Sequence, residues 1–143
     1  MGFTDAVKTC LSKYATFSGR ASRSEYWWFY LAFIIAAIIC TIPLIWLANN
    51  MRVPGAFYGD VRSLYLPYYI PIAILVLATF VPFLAVSVRR LHDSNKRGWW
   101  YLVTLVPYVG GLIYLVLMVL PGTKGANRFG PDPLGETNVE GVF

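Results

Sequence analysis

The stretch Val88-Arg-Arg-Leu-His-Asp-Ser-Asn-Lys-Arg-Gly-Trp-Trp100 gathers a dense group of reactive side chains between long uncharged runs. It holds four cations, Arg89, Arg90, Lys96 and Arg97, one carboxylate, Asp93, and His92, the only histidine. Two kinds of chemistry fit these types. Clustered guanidinium groups grip phosphate, and Arg20 and Arg23 would join them if they share the same face. Imidazole titrates near neutral pH, so His92 beside Asp93 could move protons. Neighbouring residues on a helix point in different directions, however, so the two are not a ready-made dyad. The competing expectation is structural. Arg89 and Asp93 are spaced i, i+4 and Arg90 and Asp93 i, i+3, so they can pair on one helix face, with Ser94 or Asn95 capping the element that follows. No nucleophile elbow, metalloprotease helix, phosphate loop or dinucleotide fingerprint is present. Cys10 and Cys40 form no metal-binding spacing, so no metal and no cofactor is expected.

The flanks of this stretch say what must position it. Only 13% of the 143 residues are charged, against about 25% in soluble domains, and the charges are segregated. Residues 26–51, 63–88 and 98–123 carry none. Crossing the roughly 30 Å hydrocarbon core takes about 20 apolar residues in a helix. The expectation is an all-α integral membrane protein with three transmembrane helices, at about 26–48, 64–90 and 99–120. Residues 1–135 would form a single membrane domain and 136–143 a flexible tail.

Phe3, Val7, Cys10, Leu11, Tyr14 and Phe17 recur at helical spacing, with Asp5, Lys8, Ser12 and Lys13 between them. This predicts an amphipathic surface helix before the first crossing, lying on lipid headgroups or packed against the bundle. Ser22-Arg-Ser-Glu25 reads as a capping box. Lysine and arginine number eight in residues 1–25 and 89–98 together, against four in 49–63 and the tail. The positive-inside rule then puts the first pair of segments in the cytoplasm and, with three crossings, the C-terminus outside. Pro107 and Gly110-Gly111 interrupt the third run, and a re-entrant third segment would instead return the tail to the cytoplasm. Trp27, Trp28, Trp46, Trp99 and Trp100 suit the membrane interface.

Three motifs together carry a resemblance: Gly19-Arg-Ala-Ser-Arg-Ser-Glu-Tyr-Trp27; Arg89-Arg-Leu-His-Asp93 with Gly98-Trp-Trp100; and Pro121-Gly-Thr followed by Gly125-Ala-Asn-Arg-Phe-Gly-Pro-Asp-Pro133. In this order and spacing the chain resembles the small bacterial inner-membrane proteins of the domain-of-unknown-function family eight hundred and five, from about Tyr14 to Pro133. The resemblance implies a multi-pass protein of the bacterial inner membrane and no established activity, substrate or cofactor. It maps the family's polar motifs onto Arg20, Arg23, Glu25, Arg90, His92, Asp93, Asn127 and Arg128, with no role attached.

The functional expectation is a non-enzymatic membrane protein that binds anionic lipid, or a membrane-protein partner, through a cytoplasmic basic face. Its candidate ligand-binding residues are Arg20, Arg23, Arg89, Arg90, His92, Asp93, Lys96 and Arg97, with none assigned as catalytic. So small a bundle has little interior of its own, which favours a homo-oligomer or a larger partner. Nucleic acid is not an expected partner, because basic residues beside membrane helices meet lipid phosphate first. The alternatives are an enzyme acting on a phosphate-bearing lipid through Arg90, His92 and Asp93, and a transporter accessory subunit. No Asp, Glu, Lys, Arg or His lies within the three uncharged runs, which argues against an ion pathway.

Overall fold

A computed structural model describes residues 1–50 and 58–135 of the chain, and these contain helices and no β-strand. Arg52 and the tail 136–143 lie outside the described residues. Four α-helices follow in order: α1 (Phe3–Ser12), α2 (Arg23–Asn50), α3 (Tyr58–Asp93) and, after a 3₁₀ helix at Gly98–Leu105, α4 (Gly110–Val119). Two compact units result, one made of Met1–Phe29 with Pro82–Phe143, the other of Tyr30–Val81. Helices α2 and α3 each contribute a segment to both.

The second unit contains the apolar middle of α2 and the preceding part of α3. Within these helices the stretches Arg23–Trp46 and Tyr69–Asp93 are long and apolar enough to cross a membrane. At a rise of 1.5 Å per residue, about 24 residues reach some 36 Å, enough for the hydrocarbon layer. None of the described side chains of this unit is fully buried. Ile38, Ile39, Ile42 and Ile45 of α2 and Ile74, Leu77 and Phe80 of α3 are all exposed. Pro43 sits inside α2 and Pro71 inside α3, each removing one backbone donor.

The first unit carries the buried core. Cys10, Ala21, Tyr26, Phe29, Val86, Leu91, Leu117 and Met118 form one cluster, with Phe83 and Tyr101 against it. Phe83 lies edge-on to Tyr26, with ring centroids 5.9 Å apart. The hydroxyls of Tyr26 and Ser87 lie 3.0 and 2.8 Å from the Tyr114 hydroxyl, linking α2, α3 and α4. Helix α1 buries Ala6 and Cys10 and ends at Ser12, before the Tyr14 and Phe17 positions of the apolar pattern.

The expected helix over 99–120 is not formed. The eight-residue 3₁₀ helix spans about 16 Å and the ten-residue α4 about 15 Å, each near half of a hydrocarbon layer. Pro107-Tyr108-Val109 turns between them, with Tyr108 at φ +66° and fully exposed. Proline at 107 ends the incoming segment, and Gly110 lets the two legs meet: a Cβ there would strike the Val103 carbonyl oxygen. Both ends of this hairpin return to the end of α3. Gly98 lies against Val88, and the Thr123 N–H donates to the Asp93 carbonyl at 2.8 Å. The segment is therefore a hairpin rather than a third full-length helix, and residues 120–130 pack beside 89–98.

Candidate functional site

The end of α3 is fixed by a local signal. Asn95 adopts φ +57°, its N–H donates to the His92 carbonyl at 3.0 Å, and the Lys96 N–H reaches Leu91 at 2.9 Å. This pair of bonds closes a helix C-terminus on a left-handed residue, and asparagine tolerates that conformation better than most. Asn95 thus stops α3 and does not cap the following helix, whose N-cap position is Arg97 with no side-chain cap. The N-terminus of α2 follows the capping expectation by half. Ser22 Oγ accepts from the Glu25 N–H at 3.2 Å, but the Glu25 carboxylate turns to Arg89.

The two helix ends and the tail meet around Asp93. Its Oδ1 accepts from Arg20 Nε at 2.9 Å, and its Oδ2 pairs with Arg90 Nη1. Arg20 then spreads its other nitrogens onto the tail backbone, with Nη2 on the Thr123 carbonyl and Nη1 on the Gly125 carbonyl, both at 2.5 Å. The planar guanidinium suits this work, because its donors diverge in a fixed fork. Arg90 reaches the C-terminal end of α4, donating to the Met118 carbonyl at 3.2 Å and to Leu120. Arg23 also donates to the Leu120 carbonyl at 3.2 Å. Carbonyls in a last helical turn lack internal partners and carry partial negative charge, so both arginines act as caps. Gly122 permits this packing, since a Cβ there would collide with the Asp93 carboxylate.

A second pair lies deeper. Arg89 Nη1 donates to Glu25 Oε1 at 2.6 Å, and Cys10 Sγ lies 3.7 Å from the same oxygen. Arg89 Nε and Nη2 are buried with no hydrogen-bond partner among the described residues. Burial, reinforced by the Glu25 charge, pushes the Cys10 thiol up to about 12. At neutral pH it is a thiol, which is a poor nucleophile.

Around this buried cluster Arg97 and Arg128 are exposed, and His92 and Lys96 are half-buried. His92 Nδ1 donates to the Gly19 carbonyl at 3.1 Å, and its ring stacks on Phe129 with centroids 4.0 Å apart and planes 2° from parallel. Arg128 lies over the Phe129 ring, 4.7 Å from its centroid, and donates to the Asn95 carbonyl at 2.9 Å. Asn127 ties the same loop down through the His92 carbonyl at 2.9 Å. Asp132 shapes the outer turn by accepting from the Leu134 and Gly125 N–H groups, which hold its carboxyl below the usual range. His92, Arg97, Gly98, Trp99, Arg128 and Phe129 line a groove of about 400 Å³. Lys96 sits over the Trp100 ring at 5.7 Å.

The eight sequence candidates therefore divide. Arg20, Arg89, Arg90 and Asp93 are buried and engaged in ion pairs, and the expected Arg89–Asp93 pair is replaced by Arg89–Glu25. Arg23 caps α4, while His92 and Arg97 border the groove beside Lys96. Arg128 and Phe129 come from the tail. Only the resemblance pointed to Arg128, and Phe129 had no signal beyond lying in the third motif.

The three motifs meet at this one place, which gives meaning to the match with known proteins. Residues 14–131 match the family described as protein of unknown function DUF805. The chain belongs to this family. It is 43% identical over 124 residues to the inner membrane protein YhaI of Escherichia coli strain K12, covering 86% of this chain and 90% of that one. It is 41% identical over 123 residues to the inner membrane protein YhaH of the same organism, covering 86% and 91%. No solved structure matches the chain. These relatives are named as inner membrane proteins, and the family's description assigns no function. Among the described residues, no group of histidine, cysteine and carboxylate could hold a metal ion.

Proposed function

We propose that this is a non-enzymatic inner-membrane protein that crosses the bilayer twice and holds anionic lipid at a cytoplasmic basic face. The crossings are α2 and α3. The hairpin 98–120 enters the cytoplasmic leaflet from the same side and returns, so both termini are cytoplasmic. Support for this topology comes from charge. With the tail on the side of residues 1–25 and 89–98, ten of the twelve lysines and arginines share that side; Arg52 and Arg62 are the others. That is a stronger positive-inside bias than three crossings would give. The hairpin's exposed side chains agree, since Leu105, Tyr108 and Leu112 near its turn are apolar or aromatic and uncovered.

The observation that carries the function is the division of cations. Buried arginines are used up in the cluster, yet Lys8, Lys13, Lys96, Arg97, Lys124 and Arg128 carry no acidic partner among the described residues. Each basic residue near an anionic surface contributes about 1 kcal/mol of attraction. The exposed apolar sides of α2 and α3 meet acyl chains or a second copy.

Two measurements test the reading. A reporter active only in the cytoplasm, fused after Phe143, should be active; inactivity would restore three crossings. Protein purified from a mixed bilayer should retain anionic lipid above its share in that bilayer. Retention in simple proportion would remove the lipid-binding function.

A further inference from the structure

The groove on the basic face has a lining that is selective in chemistry. Arg97 and Arg128 bring two guanidinium groups to the groove from different segments, the α3–3₁₀ junction and the tail. Arg128 is pre-positioned by the Asn95 carbonyl and by the Phe129 ring beneath it. Holding a guanidinium in place before the ligand arrives reduces the ordering that binding requires. Trp99 also lines the groove, and its one polar side-chain group is a donor only.

His92 sets a finer condition. A carbonyl oxygen can only accept, so contact with Gly19 fixes the imidazole proton on Nδ1. In the neutral ring Nε2 is then an acceptor, and it lies on the side of Gly98, which itself lines the groove. The recess thus offers guanidinium donors and one acceptor. A phosphodiester has only acceptor oxygens to present, and one facing Nε2 would be repelled. A phosphomonoester carrying one proton offers a P–OH to Nε2 and two oxygens that share one negative charge to the arginines.

We propose that the groove between Arg97 and Arg128 is a phosphate site that prefers a phosphomonoester to a phosphodiester, with His92 accepting its P–OH. This rests on the basic-face reading and sharpens it. The ligand is a monoester lipid headgroup or a soluble phosphomonoester, both having the same terminal phosphate. No bond forms or breaks.

The test uses full-length protein in phosphatidylcholine nanodiscs containing either phosphatidate or phosphatidylglycerol at pH 6.5, with lipid binding read by native mass spectrometry. Phosphatidate should bind more tightly than phosphatidylglycerol. Arg97→Gln and Arg128→Gln should each weaken phosphatidate binding about tenfold, the usual effect of losing one charge-assisted bond. Lys13→Gln, an equal change of charge on the basic face but outside the groove, should weaken it less than either arginine variant, by about fivefold at most, the attraction of one exposed basic residue to an anionic surface. His92→Phe keeps a ring on Phe129 and should lose the preference for the monoester while retaining phosphate binding. Glycerol 3-phosphate identifies the source. Competition at concentrations near those of the lipid marks a soluble ligand, and competition only at large excess marks the lipid.

Equal losses from Lys13→Gln and the two arginine variants would overturn the site and leave the diffuse basic face standing. Equal binding of the two lipids by the unaltered protein would overturn the monoester preference. Failure of both anionic lipids to bind above phosphatidylcholine would remove the basic-face reading as well. Thermal unfolding of each variant separates a lost site from a lost fold.

Discussion

The unit of Met1–Phe29 with Pro82–Phe143 and the unit of Tyr30–Val81 solve the same problem by different means. Both must satisfy backbone polar groups and remove apolar side chains from water. The second does so with two long helices, none of whose described side chains there is fully buried, which leaves lipid as their solvent. The first does so internally. Its buried residues include Leu91 and Met118 beside the charged Arg20, Glu25, Arg89, Arg90 and Asp93. The difference teaches that the stability specific to this chain resides in the first unit, where a lost partner cannot be replaced by solvent. In the second, acyl chains accept any apolar side chain of suitable length.

The strongest way to break that contrast is Asp93→Ala. It strips one carboxylate from both Arg20 and Arg90 and leaves two buried guanidinium groups short of charge. Breaking a buried pair in this way costs about 3–5 kcal/mol. Denaturant titration in micelles should show the loss, and a change under about 1 kcal/mol would mean that the cluster is not what holds the unit together.

A smaller effect, of opposite sign, is expected for the deeper pair. Glu25→Leu or Arg89→Met alone should destabilise, because each strands a buried charge. The double change Glu25→Leu with Arg89→Met removes two charges and the two unpartnered donors of Arg89. Replacing a buried pair by apolar residues is often neutral or stabilising by about 1–4 kcal/mol. The same titration checks it. A double variant less stable than either single one would show that Glu25 and Arg89 contribute more than their mutual pairing.

The smallest effect belongs to the second unit. Leu77 of α3 is 74% exposed, so Leu77→Ala should change unfolding free energy by no more than about 0.5 kcal/mol. The measurement is again micelle unfolding. A loss of about 2–5 kcal/mol, the range for a buried leucine, would mean that Leu77 packs against a second copy of the chain rather than lipid.

Much of this molecule follows from composition alone. The uncharged runs 26–51 and 63–88 coincide with the apolar lengths of α2 and α3, because crossing hydrocarbon is a demand on length and polarity that local sequence meets by itself. The Arg90–Asp93 pair and the Ser22 cap were also legible, since both depend on spacing within one helical turn. The third run met the same criterion of length and still folded as a hairpin. Its outcome depended on contacts at its ends, Thr123 to Asp93 and Leu120 to Arg23 and Arg90, which are distant in sequence. Glu25 likewise chose Arg89, 64 positions away, over its own capping box, because a buried guanidinium attracts a carboxylate more strongly than a backbone N–H does. Charge segregation told which residues the bilayer would exclude. Which excluded residues would neutralise one another, and which would face outward to meet a ligand, was decided only when three separate segments came together around Asp93.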